Sequence, residues 1–172
     1  RTISKMSTLK NAGITPYLID VEKKMELDFF DSDILVLTLP YKKSFIDPNI
    51  YKIQIEKICK KLRSSPIKHV VFTSSSSIYP KDGKNYLPTD NFLPETKRAE
   101  ILLSCENRIQ SNKNISTIII RLGGIFGANR KVKSSNKSRR LIKESDAINL
   151  LVESINRKGE TDIINGFKQV II

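Results

Sequence analysis

Residues Val70 to Pro80 read VVFTSSSSIYP, and the chain's fold class follows from how that stretch begins and ends. With Lys68 and His69 ahead of it, the first half is an unbroken run of β-branched and aromatic residues, the composition of a strand buried on both faces as parallel strands are. Four consecutive serines and a proline then end it. A buried parallel strand needs neighbours, and similar short runs occur on both sides: Pro16 to Asp20 (PYLID), Asp33 to Leu39 (DILVLTL), Ile115 to Leu122 (ISTIIIRL) and Asp162 to Asn165 (DIIN). Between them, Ile55, Ile58, Cys59 and Leu62 keep helical spacing, as do Ile148, Leu151, Val152 and Ile155, while Ala99, Leu102 and Leu103 mark a third helix. Strands alternating with helices predict an α/β fold, a parallel sheet covered on both faces. In such sheets ligands sit at the carboxyl ends of the strands. Those ends are Asp20-Val21, Thr38-Leu39-Pro40, Ser74 to Ser77 and Gly123-Gly124.

The bulk properties narrow the class. A chain of 172 residues has the size of one domain. Its 39% apolar and 28% charged content is that of a globular protein rather than a disordered one. No apolar run approaches the roughly 20 residues of a membrane helix, and no signal peptide opens the chain, so a cytoplasmic protein with no membrane partner is expected. Cys59 and Cys105 lie in helix-patterned segments outside any CxxC pair and are expected to be reduced packing residues. The single histidine, His69, at the edge of an apolar strand, is expected at the surface; it leaves almost no material for a metal site or a Ser-His-Asp triad. A net charge of +12 raises nucleic acid as a partner. The lysines are spread through every segment, however, and the densest cluster, Arg130 to Arg140 (RKVKSSNKSRR), has no aromatic residue to stack on bases. That cluster reads as a solvated basic loop or one facing an anionic ligand, and nucleic acid is not the expected partner.

Local signals refine the chain's organisation. Ser145 is placed to cap the last helix, with Asp146 at the positive end of its dipole. Ser75 to Pro94 lacks periodicity and carries Pro80, Asp82, Gly83 and Pro88, so it reads as a long loop, and long loops in compact domains are usually functional.

Three segments in register resemble the NAD-dependent epimerase/dehydratase family, the extended branch of the short-chain dehydrogenase/reductase superfamily. VVFTSSSSIYP resembles the family's strand-plus-serine segment, RLGGIFGANR (Arg121 to Arg130) the segment after its sixth strand, and Leu141 to Ala147 (LIKESDA) the helix start preceding a strand that ends in Asn, here Asn165. The resemblance implies a Rossmann-like doubly wound sheet in three α/β/α layers. It also implies one NAD(P)-binding domain over residues 1–172, with residues from about 123 onward contributing the substrate side. The family's first strand and its G-x-G-x-x-G turn would precede Arg1, and no such motif occurs in these residues, which suggests a fragment truncated at its N-terminus.

In that register, Arg1 follows the second strand, Asp20 and Val21 the third, and Thr38, Leu39 and Pro40 the fourth; these, with Ser74, are the implied cofactor-binding positions. An Arg after the second strand accommodates a 2′-phosphate, so Arg1 favours NADP over NAD unless it is simply exposed. Pro40 has a second reading as a strand terminator. Ser75 occupies the place of the family's Ser/Thr that hydrogen-bonds the substrate oxygen, or is a polar turn after a strand. The family's Tyr-x-x-x-Lys pair is replaced: Arg98 stands at the Tyr position and Leu102 at the Lys position, and an Arg stays protonated at neutral pH. Tyr79 and Tyr86, in the preceding loop, are possible substitutes or packing residues. Gly124 stands where nucleotide-sugar epimerases carry a substrate-contacting Asn, which disfavours a nucleotide-sugar. These departures resemble the atypical branch of the superfamily. The expectation is an NAD(P)-binding oxidoreductase or epimerase-like protein acting on an unknown small molecule, homodimerisation being possible, and the alternative is a non-catalytic cofactor sensor or partner-binding protein. No metal is expected.

Overall fold

The computed structural model describes residues 5–23, 25, 28–42, 47–127 and 138–171. Arg1 and positions 130–137 of the basic stretch lie outside the described residues. The described elements are α1 (Met6–Asn11), β1 (Ile34–Leu37), α2 (Ile50–Leu62), β2 (His69–Ser75), α3 (Lys97–Gln110), β3 (Ser116–Leu122), β4 (Gly124–Phe126), β5 (Ser138–Lys143), α4 (Glu144–Asn156), β6 (Asp162–Gly166) and β7 (Lys168–Ile171). Strands β1, β2, β3 and β6 form one parallel sheet in that order. A second sheet, in the order β4, β5, β7, pairs β4 with β5 in parallel and β5 with β7 antiparallel.

The strict alternation of a β-strand sorts the core into two halves. Val70, Phe72 and Ile119 pack with Ile55, Ile58, Leu62, Ile101, Leu102, Cys105 and Ile109 of α2 and α3. Their neighbours Val71, Ile118 and Ile120 face the other way, against Leu150, Leu151 and Ile155 of α4. The fold is therefore α/β, with a parallel sheet between α2 and α3 on one face and α4 on the other. Both cysteines are buried and unpaired by disulfide. No helix among the described residues is long and apolar enough to cross a membrane.

The structure corrects several expectations. PYLID at residues 16–20 is not a strand: β1 is the last strand on its side of the sheet among the described residues, and an extended segment without a ladder partner leaves its backbone groups to solvent or side chains. Ser145 does not cap α4; the helix starts at Glu144, two residues earlier than a Ser145 cap would place it, Lys143 occupies the cap position without a side-chain bond, and the Ser145 hydroxyl turns to Asp146 (3.3 Å). His69 is not at the surface. It is 1% exposed, its Nε2 donating to the Ser154 carbonyl of α4 at 2.8 Å and its Nδ1 meeting the Ser116 hydroxyl at 2.7 Å, which ties β2 to both β3 and α4. The end of the basic stretch, Ser138 to Arg140, is not loop but the first half of β5.

Candidate functional site

Because the strands of the larger sheet are parallel, their carboxyl ends share one edge. Leu37 lies beside Phe72, Ser74 beside Arg121 beside Asn165, and Ser75 beside Leu122 beside Gly166. Thr38 and Pro40 are exposed there, while Leu39 is half-buried with its carbonyl accepting the Tyr51 hydroxyl (3.0 Å). Ser74 is 7% exposed, and its hydroxyl has no hydrogen-bond partner among the described residues. Ser75 is half-buried and closes the 3-10 turn Ser76–Ile78: its Oγ accepts the Ser77 amide (3.2 Å) and lies 3.0 Å from the Ser77 hydroxyl. Asp20 is exposed and accepts the Glu22 amide (3.0 Å); Val21 packs on the core. That turn rests on α2, where Gln54 donates to the Glu22 carboxylate (3.0 Å) and Lys57 to the Glu22 carbonyl (2.5 Å). Thr38 to Pro40, Ser74 and Ser75 thus share one end of the sheet.

Tyr79 enters a different constellation. It is 2% exposed. Its hydroxyl accepts from Arg121 Nη1 (2.7 Å) and donates to Asn165 Oδ1 (2.8 Å). Arg121 is itself buried at the end of β3 and forms an ion pair with the equally buried Glu106 of α3 (2.9 Å). Burial is the largest influence on Arg121 and opposes its charge, but the Glu106 hydrogen bonds and charge, with Tyr79, outweigh it and leave the guanidinium pKa raised. Arg121 also reaches the Pro88 carbonyl (3.3 Å), and Asn165 donates to the Tyr86 carbonyl (2.6 Å). The Tyr79 and Tyr86 rings stack, and Phe92 meets Tyr79 at a tilt and Tyr86 edge-on. The long loop is therefore held by a buried polar network rather than by regular secondary structure. Sequence reasoning missed this network, although an arginine at the end of an otherwise apolar buried strand was its signal, since a buried guanidinium requires a partner.

The smaller sheet grips the same loop from outside. Arg140 on β5 donates to the carbonyls of Ser76 (3.4 Å), Tyr79 (3.4 Å), Pro80 (2.8 Å) and Lys84 (3.4 Å), and its guanidinium lies over the Tyr79, Tyr86 and Phe167 rings. Gln169 on β7 donates to the Gly83 carbonyl (2.5 Å). Gly123 allows the approach: a Cβ there would lie 2.7 Å from the Arg140 carbonyl oxygen and 2.8 Å from Phe167 Cβ. Between the sheets is a cavity of about 710 Å³ that Ser75 and Ser77 line beside Lys81, Arg139 and Arg140, with no carboxylate among the described residues of its wall. Burial lowers the Arg140 pKa from its ordinary value, yet an arginine keeps its charge near neutrality, so the cavity is cationic. Gly124, also in its wall, offers no side chain.

At the positions corresponding to the absent Tyr-Lys pair, Leu102 is buried in the core and Arg98 is half-buried. The Arg98 guanidinium lies over the Tyr41 ring, 5.1 Å from its centroid, and its Nε is buried without a hydrogen bond. No cluster of three or more His, Cys, Asp or Glu side chains among the described residues could hold a metal ion.

No family model matches the chain. Protein YeeZ of Escherichia coli K12 is 27% identical over 125 residues, covering 69% of this chain and 46% of YeeZ, so the chain spans about half the length of the curated relative it matches. Among solved structures, a UDP-N-acetylglucosamine 4-epimerase from Methanobrevibacter ruminantium M1, in complex with UDP-N-acetylmuramic acid, superposes with a TM-score of 0.76 at 20% identity, covering 99% of this chain and 68% of that one. A UDP-glucuronic acid 4-epimerase from Bacillus cereus, in complex with UDP-glucuronic acid and NAD, gives 0.76 at 12% identity, with 98% and 66% covered. The strand order, the two helical layers and these superpositions together give the chain the Rossmann-like α/β fold of NAD-dependent epimerase/dehydratase-type enzymes.

Proposed function

We propose that the chain forms the nicotinamide and substrate side of an NAD(P)-binding protein of the oxidoreductase or epimerase type. The observation that carries this reading is the Ser74 hydroxyl, buried without a partner at the carboxyl end of a central parallel strand. An unsatisfied buried hydroxyl costs about 1–3 kcal/mol, and this one stands at the edge where Rossmann-like folds take their ligands. Thr38, Leu39 and Pro40 would line the nicotinamide, with the Tyr51 hydroxyl fixing the Leu39 carbonyl, and Asp20 and Val21 would lie towards the adenine. Arg1 would choose NADP over NAD. Residues from Gly123 onward would supply the substrate side through β4, β5 and β7.

A bound nicotinamide supplies hydride chemistry. The protein's part is to position: Ser75 Oγ, aligned by the Ser77 amide and facing the cavity, would hydrogen-bond the substrate oxygen. Tyr79 is the candidate proton donor within reach of the same loop, its hydroxyl held by Arg121 and Asn165. The structural neighbours bind UDP-sugars, whereas Gly124 presents no side chain to such a ligand, so a substrate other than a nucleotide-sugar is proposed. A second reading, a cofactor-dependent sensor without turnover, is favoured by Arg98 and Leu102 standing where the acid/base pair would be.

Equilibrium titration of the full-length protein with NADPH and NADH tests the proposal: saturable binding is expected, tighter for NADPH, and no binding at millimolar cofactor would remove it. Turnover on a panel of carbonyl compounds that Ser75→Ala or Tyr79→Phe abolishes would establish the enzyme. Cofactor binding without turnover would establish the sensor.

A further inference from the structure

Arg98 is a cation without a counter-ion among the described residues, at the ligand-binding edge. We infer that it is the receptor for a carboxylate, so that the ligand taken beside the cofactor is a small carboxylic acid; the inference rests on the cofactor reading above. Arg98 is the second residue of α3, and α3, which connects the carboxyl end of β2 to the amino end of β3, begins at the ligand edge. Thr96 caps that helix by accepting the Ala99 amide (3.2 Å), and Lys97 is neutralised by Glu100 (2.9 Å). Arg98 has no such partner among the described residues. A cation in the first turn also opposes the helix dipole, and an anion bound to it would offset that.

The geometry prepares the guanidinium to receive a planar ligand. One face lies on the Tyr41 ring, which packs edge-on against Tyr51 (5.5 Å), and Tyr51 in turn holds the backbone just after β1. Stacking fixes the plane and leaves the edge, with its paired N–H groups, for a bidentate partner. The Nε itself is buried and makes no hydrogen bond to a described residue. Ser74, the other unsatisfied buried group at this end, belongs to the sheet face that Val70 and Phe72 present to α2 and α3. Two polar groups without a partner among the described residues, one cationic and one a hydroxyl, thus lie on one side of the sheet towards its carboxyl edge.

The test uses full-length protein saturated with NADPH, with oxalate as probe and its uncharged analogue oxamide as control, read by thermal shift and isothermal titration. Oxalate is expected to bind and to raise the melting temperature, and oxamide is not. Arg98→Gln should weaken oxalate about tenfold or more, the effect of removing a charge-assisted hydrogen bond, with NADPH affinity unchanged. Arg98→Lys, which keeps the charge but loses the fork, should fall between. Equal oxalate affinity in wild type and Arg98→Gln would overturn the inference. So would equal stabilisation by inorganic phosphate, or loss of NADPH rather than oxalate affinity in Arg98→Gln. If NADPH binds and oxalate does not, this inference fails alone; if NADPH does not bind, the cofactor reading fails and takes this one with it.

Discussion

Replacing Glu106 by Ala removes the sole carboxylate among the described residues that contacts the buried Arg121 guanidinium. Glu106 and Arg121 are 1% and 4% exposed and share three contacts of 2.9, 3.2 and 3.4 Å. In Glu106→Ala, Arg121 keeps only the Tyr79 hydroxyl, the Pro88 carbonyl and the faces of the Tyr79 and Phe92 rings. Breaking a buried pair from one side costs about 3–5 kcal/mol, a large share of the roughly 5–15 kcal/mol available to a domain. Glu106→Gln, which keeps an acceptor but not the charge, should cost about 1–3 kcal/mol. Urea unfolding monitored by circular dichroism measures both, and hydrogen exchange over residues 79–94 reports the loop, whose protection should fall in step because Arg121 is its inner anchor. A Glu106→Ala protein within about 0.5 kcal/mol of wild type, or with unaltered loop exchange, would refute the assignment of Glu106 and Arg121 as the anchor.

Other consequences are more local. Burial pushes the Cys59 thiol up to about 11 and the Cys105 thiol up to about 12, so the folded protein should resist a thiol reagent at pH 8 and react at both positions once unfolded. Glu56 is held below its ordinary carboxyl pKa, chiefly by its hydrogen bond from Arg108. A carboxylate with a depressed folded pKa stabilises above its unfolded value, here near 4.5, and loses that contribution as pH falls through the folded value. Glu56→Gln should therefore cost less than about 1 kcal/mol at pH 7, given its exposure, and the difference from wild type should shrink below pH 4.5 and vanish once the pH is under the folded value. Gly123→Ala, forced against the Arg140 carbonyl and Phe167, should destabilise by about 1–3 kcal/mol, measurable as a lowered urea midpoint.

What was legible in the sequence was what local pattern controls. The continuous apolar runs of β2 and β3 and the spacing of Ile55, Ile58 and Leu62 were readable because burial on two faces, or on one helical stripe, leaves its period in the chain. The strand ends placed Thr38 to Pro40, Ser74 and Ser75 together. Long-range pairings left no such trace. His69, flanked by Lys68, reads as peripheral until Ser116 and Ser154, remote in sequence, are brought to its two ring nitrogens. The second sheet was hidden for the same reason: GIF, SRRLIK and KQVI are short, and all three are basic or glycine-bearing, so only their mutual pairing makes them strands. PYLID carries a strand composition yet pairs with nothing described, composition being a weaker determinant than a ladder partner. Arg121, Glu106 and Tyr79 form one site from three segments, and only the incongruity of an arginine in an apolar strand pointed to it.

The four carbonyls gathered by Arg140 also impose an order in time. The backbone from Ser76 to Lys84 makes few hydrogen bonds of its own, and it takes its shape around a side chain that lies some sixty positions further along the chain. Closing so long a span is slow relative to forming a local turn or helix. During folding, then, β2 can be paired in the sheet while its serine edge is still unformed, and the chain acquires the outline of its fold before it acquires its site.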